Sequence, residues 1–111
     1  MADYLIQPPW GKIIELSRGK EQSLAIIFVN PHTTKPTEIR RQMTEWFVGL
    51  IGSGVIHLAN ELPKLTNSGE AVTVKPNTPY AIENPGDKAL AFLTIVSPPF
   101  DPTDVYQVDA L

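Results

Sequence analysis

Apolar and polar positions along this chain alternate over short runs, and no stretch holds a helical period of useful length. Lys12–Ser17, Ser23–Val29, Glu38–Gln42, Glu45–Ile51, Gly54–Ala59, Ala71–Val74, Tyr80–Glu83 and Leu90–Val96 are rich in β-branched and aromatic residues and read as strands. Eleven prolines and seven glycines separate them. Asn84-Pro85-Gly86-Asp87 has tight-turn chemistry, with Pro85 fixing φ and Gly86 free to take a positive one. Gly52-Ser53-Gly54 and Asn67-Ser68-Gly69 carry hairpin or bulge signals. Regularly spaced short strands predict an all-β antiparallel sandwich or barrel, with helix only in traces.

The period of two assigns faces. In Ser23–Val29, Leu24, Ile26 and Phe28 lie opposite Ala25, Ile27 and Val29; in Leu90–Val96, Leu90 and Phe92 lie opposite Ala91, Leu93 and Ile95. A sheet with one wet face should alternate polar and apolar, and these two strands do not. A second layer must cover them, from within the chain or from a partner. A small barrel has a limited interior, so the expectation is a homodimer with sheets packed together. Glu38, Arg40 and Gln42 share one face of their strand, against Ile39. Glu45 is aligned with Phe47, Gly49 and Ile51, while Trp46, Val48 and Leu50 face the other way. A carboxylate on an apolar face needs a partner, or it sits at a wet barrel mouth.

Composition narrows the function. At 111 residues the chain is expected to form one domain, 1–111. Nine basic against 12 acidic residues give a net charge of -3, which argues against nucleic-acid and anionic-membrane partners. The absence of cysteine removes disulfides, thiolate metal sites and thiol catalysis. No apolar run approaches the ~18 residues of a membrane span, and Met1-Ala2-Asp3-Tyr4 lacks a basic opening, so a cytoplasmic location is expected.

Two stretches resemble cupins. Pro31 through Gly52, PHTTKPTEIRRQMTEWFVGLIG, has the Glu45-to-Gly52 spacing of the first cupin motif (about 31–52), and Gly69 through Asn84, GEAVTVKPNTPYAIEN, follows the second (about 69–84). Pro9-Trp10-Gly11, Asn84-Pro85-Gly86 and Asp104 through Asp109 are similar to the cupin portion of type II mannose-6-phosphate isomerases. The resemblance implies a double-stranded β-helix, or jelly-roll barrel, with a small-molecule site inside. Metal-binding cupins carry Gln or His, His, Glu and His at places held here by Glu38, Arg40, Glu45 and Tyr80. Only Glu45 keeps its type. An arginine has no lone pair for a cation, and neutral tyrosine is a poor ligand. Neither metal nor another cofactor is therefore expected. Arg40, with Arg41 or Lys35 as possible companions, becomes either half of an ion pair plugging the barrel or a clamp for an anionic or polyhydroxyl ligand. In the second case Glu45 is the candidate base and Tyr80 the candidate acid, with Glu38, Phe47 and His57 in ligand-binding places.

The remaining candidates are few. His32 lies in a turn and is expected to face solvent, and His57 shares a strand face with Val55. The segment 97–111 opens on Ser97-Pro98-Pro99-Phe100 and is expected to run extended over a sheet edge or the barrel mouth, with Phe100 as a plug. Three functions stay open: metal-independent isomerase, epimerase or lyase chemistry on a sugar-like or carboxylate compound, ligand binding without turnover, and a dimerisation module such as the degenerate cupin of the kinetochore scaffold protein C.

Overall fold

A computed structural model describes residues 5–108; Met1–Tyr4 and the last residues of the 97–111 segment, 109–111, lie outside the described residues. The strands are β1 (Leu5–Ile6), β2 (Gly11–Arg18), β3 (Ser23–Val29), β4 (Thr33–Arg40), β5 (Thr44–Ile51), β6 (Gly54–Leu58), β7 (Lys64–Thr66), β8 (Ala71–Val74), β9 (Tyr80–Asn84), β10 (Leu90–Ser97) and β11 (Val105–Gln107), with one 3₁₀ turn at Pro102–Asp104. They form a six-stranded sheet in the order β1-β2-β3-β10-β5-β8 and a five-stranded sheet in the order β11-β4-β9-β6-β7. Every pairing is antiparallel. The fold is all-β, a jelly-roll barrel.

Ladder register shows what faces inward. On the larger sheet Phe47, Thr94, Ala25 and Glu15 are aligned on one face, and Phe92 is aligned with Ile27, Ile13 and Gly49. From the smaller sheet Tyr80, Ile82, Ile56 and Leu58 complete the buried core with Phe47 and Phe92. The Phe47 ring lies 5.4 Å from that of Tyr80 and 6.1 Å from that of Phe92. On the opposite face of the larger sheet, Leu5, Ile14, Ile26, Leu93 and Val48 make an unbroken apolar row across five strands. Trp46, Ile95 and Leu24 form the row beside it.

Two bulges shift faces away from a simple period of two. Lys35 pairs with Ile82 and Glu38 with Tyr80, so β4 spends three residue steps where β9 spends two. Pro36, which lacks an N–H, sits in this bulge. An unbroken strand would turn Lys35 and Glu38 to opposite faces; here both are buried inward. On β5, Gly49 pairs with Phe92 and Ile51 with Ala91. Leu50 is the extra residue, and Ile51, expected on the inner face with Glu45 and Phe47, is turned out and 60% exposed.

Other boundaries also move. The strand expected at Glu38–Gln42 begins at Thr33 and ends at Arg40, with Arg41 and Gln42 in a bend. Gly86 does not take a positive φ; among glycines that conformation falls to Gly52 and Gly69. The Asn84 side chain holds that turn instead, accepting from Gly86 N and donating to the Val29 and Lys88 carbonyls. His32 is exposed at φ 51° and lies 2.8 Å from Asp87. The proline-rich C-terminal segment, expected to run extended, instead bends at Pro98 after a cis Ser97–Pro98 peptide, with Phe100 lining the interior cavity, and residues 105–107 join the smaller sheet as an edge strand beside β4.

One buried carboxylate holds that segment in place. Asp104 accepts from the backbone N–H groups of Arg41, Gln42 and Met43 at 3.0–3.2 Å. An Asp104→Ala variant should lose about 1–3 kcal/mol, the cost of leaving buried donors unpaired. Denaturant unfolding measures the loss, and limited proteolysis should cut first between residues 97 and 108.

Candidate functional site

The barrel interior carries charge that its apolar walls do not invite. The β4 bulge brings Lys35 and Glu38 inward, and two residues later Arg40 follows on the same face. Glu45 comes from the start of β5 on the larger sheet, and Tyr80 from the start of β9. All five side chains are buried.

They close into a circuit. Lys35 Nζ donates to Glu38 Oε1 at 2.7 Å, and Arg40 Nη1 donates to the same oxygen at 2.6 Å. Arg40 Nε lies 2.6 Å from Glu45 Oε1. Tyr80 donates its hydroxyl proton to that Glu45 oxygen at 3.0 Å, and Lys35 Nζ donates to the Tyr80 oxygen at 3.2 Å. Gln107 of β11 donates to the other Glu38 oxygen, Oε2, at 3.0 Å. Two cations and two carboxylates alternate around one neutral phenol. Such pairing is what lets charges remain out of water.

The circuit is not saturated. The Arg40 Nε–H is not aimed at Glu45 Oε1 despite the short separation, so the contact is an ion pair without a hydrogen bond. Among the described residues, Nε is the buried side-chain polar atom left without a hydrogen-bond partner. An orphaned donor of this kind costs roughly 1–3 kcal/mol and marks a place where a missing acceptor belongs. Arg40 also lines a cavity of about 30 Å³, with Lys35, Glu45, Phe47, Tyr80 and Thr94 among the other residues around it. Since one water needs roughly 10–15 Å³, this space has room for about two or three. Ile6 and Phe100 also line it. Arg18 grips Glu15 at 2.8 and 2.9 Å and donates to the Phe100 carbonyl at 2.8 Å, fixing the covering segment.

Burial and neighbouring charge set the protonation states. Burial pushes the Lys35 ammonium pKa down, and Arg40 adds repulsion; Glu38 and Glu45 pull back without restoring the ordinary value. Burial alone would raise the Glu38 carboxyl, but Lys35 and Arg40 outweigh it and hold it below the usual range. Burial also works against the Arg40 charge, yet Tyr80, Glu45 and Glu38 together keep its pKa above the ordinary value. Burial raises the Tyr80 hydroxyl far above 10, and the adjacent Glu45 charge raises it further. Tyr80 is held as a proton donor.

Of the residues singled out from sequence, Glu38, Arg40, Glu45, Phe47 and Tyr80 come together. His57 does not. It pairs across the ladder with Ala81 on the outer face of the smaller sheet, and its Nε2 lies 3.0 Å from Glu83 Oε1. Arg41 also lies elsewhere, over the Tyr106 ring at 4.9 Å. Lys35, weighed in the sequence only as a companion to Arg40, is central. Its Nζ sits 4.7 Å from the Tyr80 ring centre and 5.3 Å from that of Trp10. The signal that could have found it is Pro36, which makes a bulge in β4 more probable than an even strand.

Comparison with known proteins now has geometry to meet. Residues 25–96 match the family model for the cupin domain. The chain belongs to the cupin family. It is 28% identical over 89 residues to mannose-1-phosphate guanylyltransferase RfbM of Salmonella typhimurium, a match that takes in 80% of this chain and 18% of the relative. The chain thus spans under a fifth of the length of that protein. Among solved structures, the capsular polysaccharide assembling protein CapF of Staphylococcus aureus superposes with a TM-score of 0.85 at 21% identity, over 96% of this chain and 32% of that one. Lactobacillus farciminis oxalate decarboxylase superposes at 0.82 and 17% identity, over 95% and 33%. These likenesses establish the fold.

Many cupins hold a metal ion, and this donor set does not fit one. Glu38 and Glu45 are bridged by a guanidinium, Lys35 occupies the remaining approach, and among the described residues no three His, Cys, Asp or Glu side chains converge.

Acid should loosen the circuit at Glu38. Its carboxyl is held below the usual 4.5, so the stability it adds is fully present above the unfolded-state pKa and is lost as pH falls through the lowered value. Melting temperatures recorded from neutral pH downward should therefore fall below pH 4.5, with a shallower acid limb in Glu38→Gln. At neutral pH that variant should be less stable by about 3–5 kcal/mol, because Lys35 and Arg40 are left buried with one carboxylate fewer.

Proposed function

We propose that the barrel interior binds a small carboxylate-bearing molecule and acts on it by proton transfer, in the manner of a metal-independent isomerase, epimerase or lyase. The observation that carries this reading is a cavity lined by Lys35, Glu45, Tyr80 and Arg40, whose buried Nε–H lacks a hydrogen-bond partner. A ligand carboxylate supplies the acceptor that Nε lacks and would be held by charge as well as hydrogen bonding. Tyr80, kept protonated, is the acid. Glu45 is the base: the Tyr80 hydroxyl donates to its Oε1, which leaves Oε2 for a substrate proton. Phe47 and Tyr80 supply an apolar wall that strengthens these contacts by excluding water.

Size favours a small organic acid over a sugar. Ligand pockets for drug-sized molecules run to several hundred Å³, and this cavity is about 30 Å³ unless Ile6 and Phe100 withdraw. The relatives' names fit both: a mannose-1-phosphate guanylyltransferase and a polysaccharide assembling protein on one side, an oxalate decarboxylase on the other. A panel of small carboxylic acids and sugars should separate them by thermal shift. A bound acid present at a hundred times its Kd should stabilise the protein by about 2.7 kcal/mol. Arg40→Lys, which keeps the charge but loses Nε, should remove most of that shift. Tyr80→Phe should abolish turnover while costing only about 1 kcal/mol of stability. No shift from any compound would overturn the reading.

The outer face of the larger sheet supports a second part of the proposal, pairing with another copy of the chain. Its apolar row from Leu5 to Val48 spans five strands, and the row of Trp46, Ile95 and Leu24 widens it. An antiparallel sheet with a free wet face would alternate there. A second identical sheet matches this surface, because a two-fold axis sets each apolar row against its own kind. Light scattering should give a dimer for the wild type and a monomer for Trp46→Glu; a monomeric wild type would remove this part.

A further inference from the structure

Lys35 does more than balance charge. Lys35 is buried and lines the cavity, and its Nζ donates to a carboxylate 2.7 Å away that can take its proton and to a phenol 3.2 Å away whose own proton is donated to Glu45. The Trp10 and Tyr80 rings flank it and keep water from the nitrogen. Arg40, the anion clamp of the reading above, shares the Glu38 oxygen with it, and both cations line the same cavity.

We infer that Lys35 is a carbonyl-reactive amine that forms an imine with a small 2-oxo acid bound through its carboxylate at Arg40. This rests on the carboxylate-binding reading and deepens it by naming the substrate class and the nucleophile.

The step balances without a further reagent. Glu38 removes a proton from the Lys35 ammonium, and the freed lone pair attacks the ketone carbon. The C–N bond forms as the C=O π electrons move to oxygen. Tyr80 protonates that oxygen and regains a proton from the new ammonium through Glu45. The resulting hydroxyl leaves as water with the proton held on Glu38, giving the protonated imine. Ketone and lysine ammonium thus become iminium and water. Burial, which lowers the Lys35 pKa, increases the fraction of amine able to begin the sequence.

Borohydride trapping tests this. The full chain is incubated with pyruvate near neutral pH, reduced with sodium borohydride and mapped by peptide mass spectrometry. Hydride adds to the imine carbon and fixes a secondary amine, so a reduced pyruvate adduct should appear at Lys35 several-fold above that at exposed Lys20, Lys64, Lys75 or Lys88. Lys35→Arg keeps a cation in the circuit and cannot form the adduct; it should melt close to wild type and lose that label alone. Adducts spread over the exposed lysines, or none at Lys35, would overturn the inference. Pyruvate-induced thermal stabilisation without reductant is read in parallel. If it persists in the wild type and falls in Arg40→Lys while Lys35 stays unlabelled, the carboxylate site stands and the imine does not. If stabilisation is absent too, both fall.

Discussion

The interior of this barrel depends on charge neutrality within a closed ring of side chains. Lys35, Glu38 and Arg40 come from β4, Tyr80 from β9 and Glu45 from the facing sheet. The ring therefore ties the two sheets together as well as filling the space between them. Each member is tolerable out of water only because the next one compensates it. Apolar replacement of the whole ring could serve stability equally well. Stability alone therefore does not explain why the interior carries two cations, two carboxylates and an unsatisfied N–H.

How much of this was legible in sequence follows from where the strand period holds. In β3 and β10 it holds throughout, and both the strand limits and the two apolar faces could be read directly. It also exposed Glu45 as a carboxylate on an apolar face; the cupin resemblance set Arg40 beside it, and the fold brings the two within 2.6 Å. It fails where a residue is inserted. The extra residue between Lys35 and Glu38 hides Lys35 from a period-two reading, and the one at Leu50 sends Ile51 outward. Short edge strands were invisible for another reason. β1, β7 and β11 are two or three residues long and owe their pairing to a neighbour rather than to their own composition. His57 shows the opposite limit: its face was read correctly, with Val55 and away from Ile56, but only the tertiary fold shows that face to be the outside of the barrel.

The larger sheet has two apolar faces with different duties. Its inner face closes the barrel around Phe47, Phe92 and Ile27, and Glu45 is the charged residue at the end of that apolar strip nearest the ring. Its outer rows give the same strands a second surface to cover. Glu45 sits at the evenly paired start of β5, while the strand carrying Lys35, Glu38 and Arg40 has an irregular backbone and an edge neighbour, β11, held by Asp104.

That asymmetry bears on how a ligand would reach the ring. The covering segment is latched at three points, by Arg18 on the Phe100 carbonyl, by Ser23 accepting from Phe100 N at 2.9 Å, and by Asp104 on the turn after β4. Phe100 faces the cavity between two of these latches. Lifting it breaks polar contacts at the rim, each worth about 1 kcal/mol, but leaves the ring's own ion pairs intact. Disrupting the ring instead would strand a buried charge at about 3–5 kcal/mol. Motion at the rim is therefore the less costly change, and it would leave the charged interior with its geometry under the proposed reading.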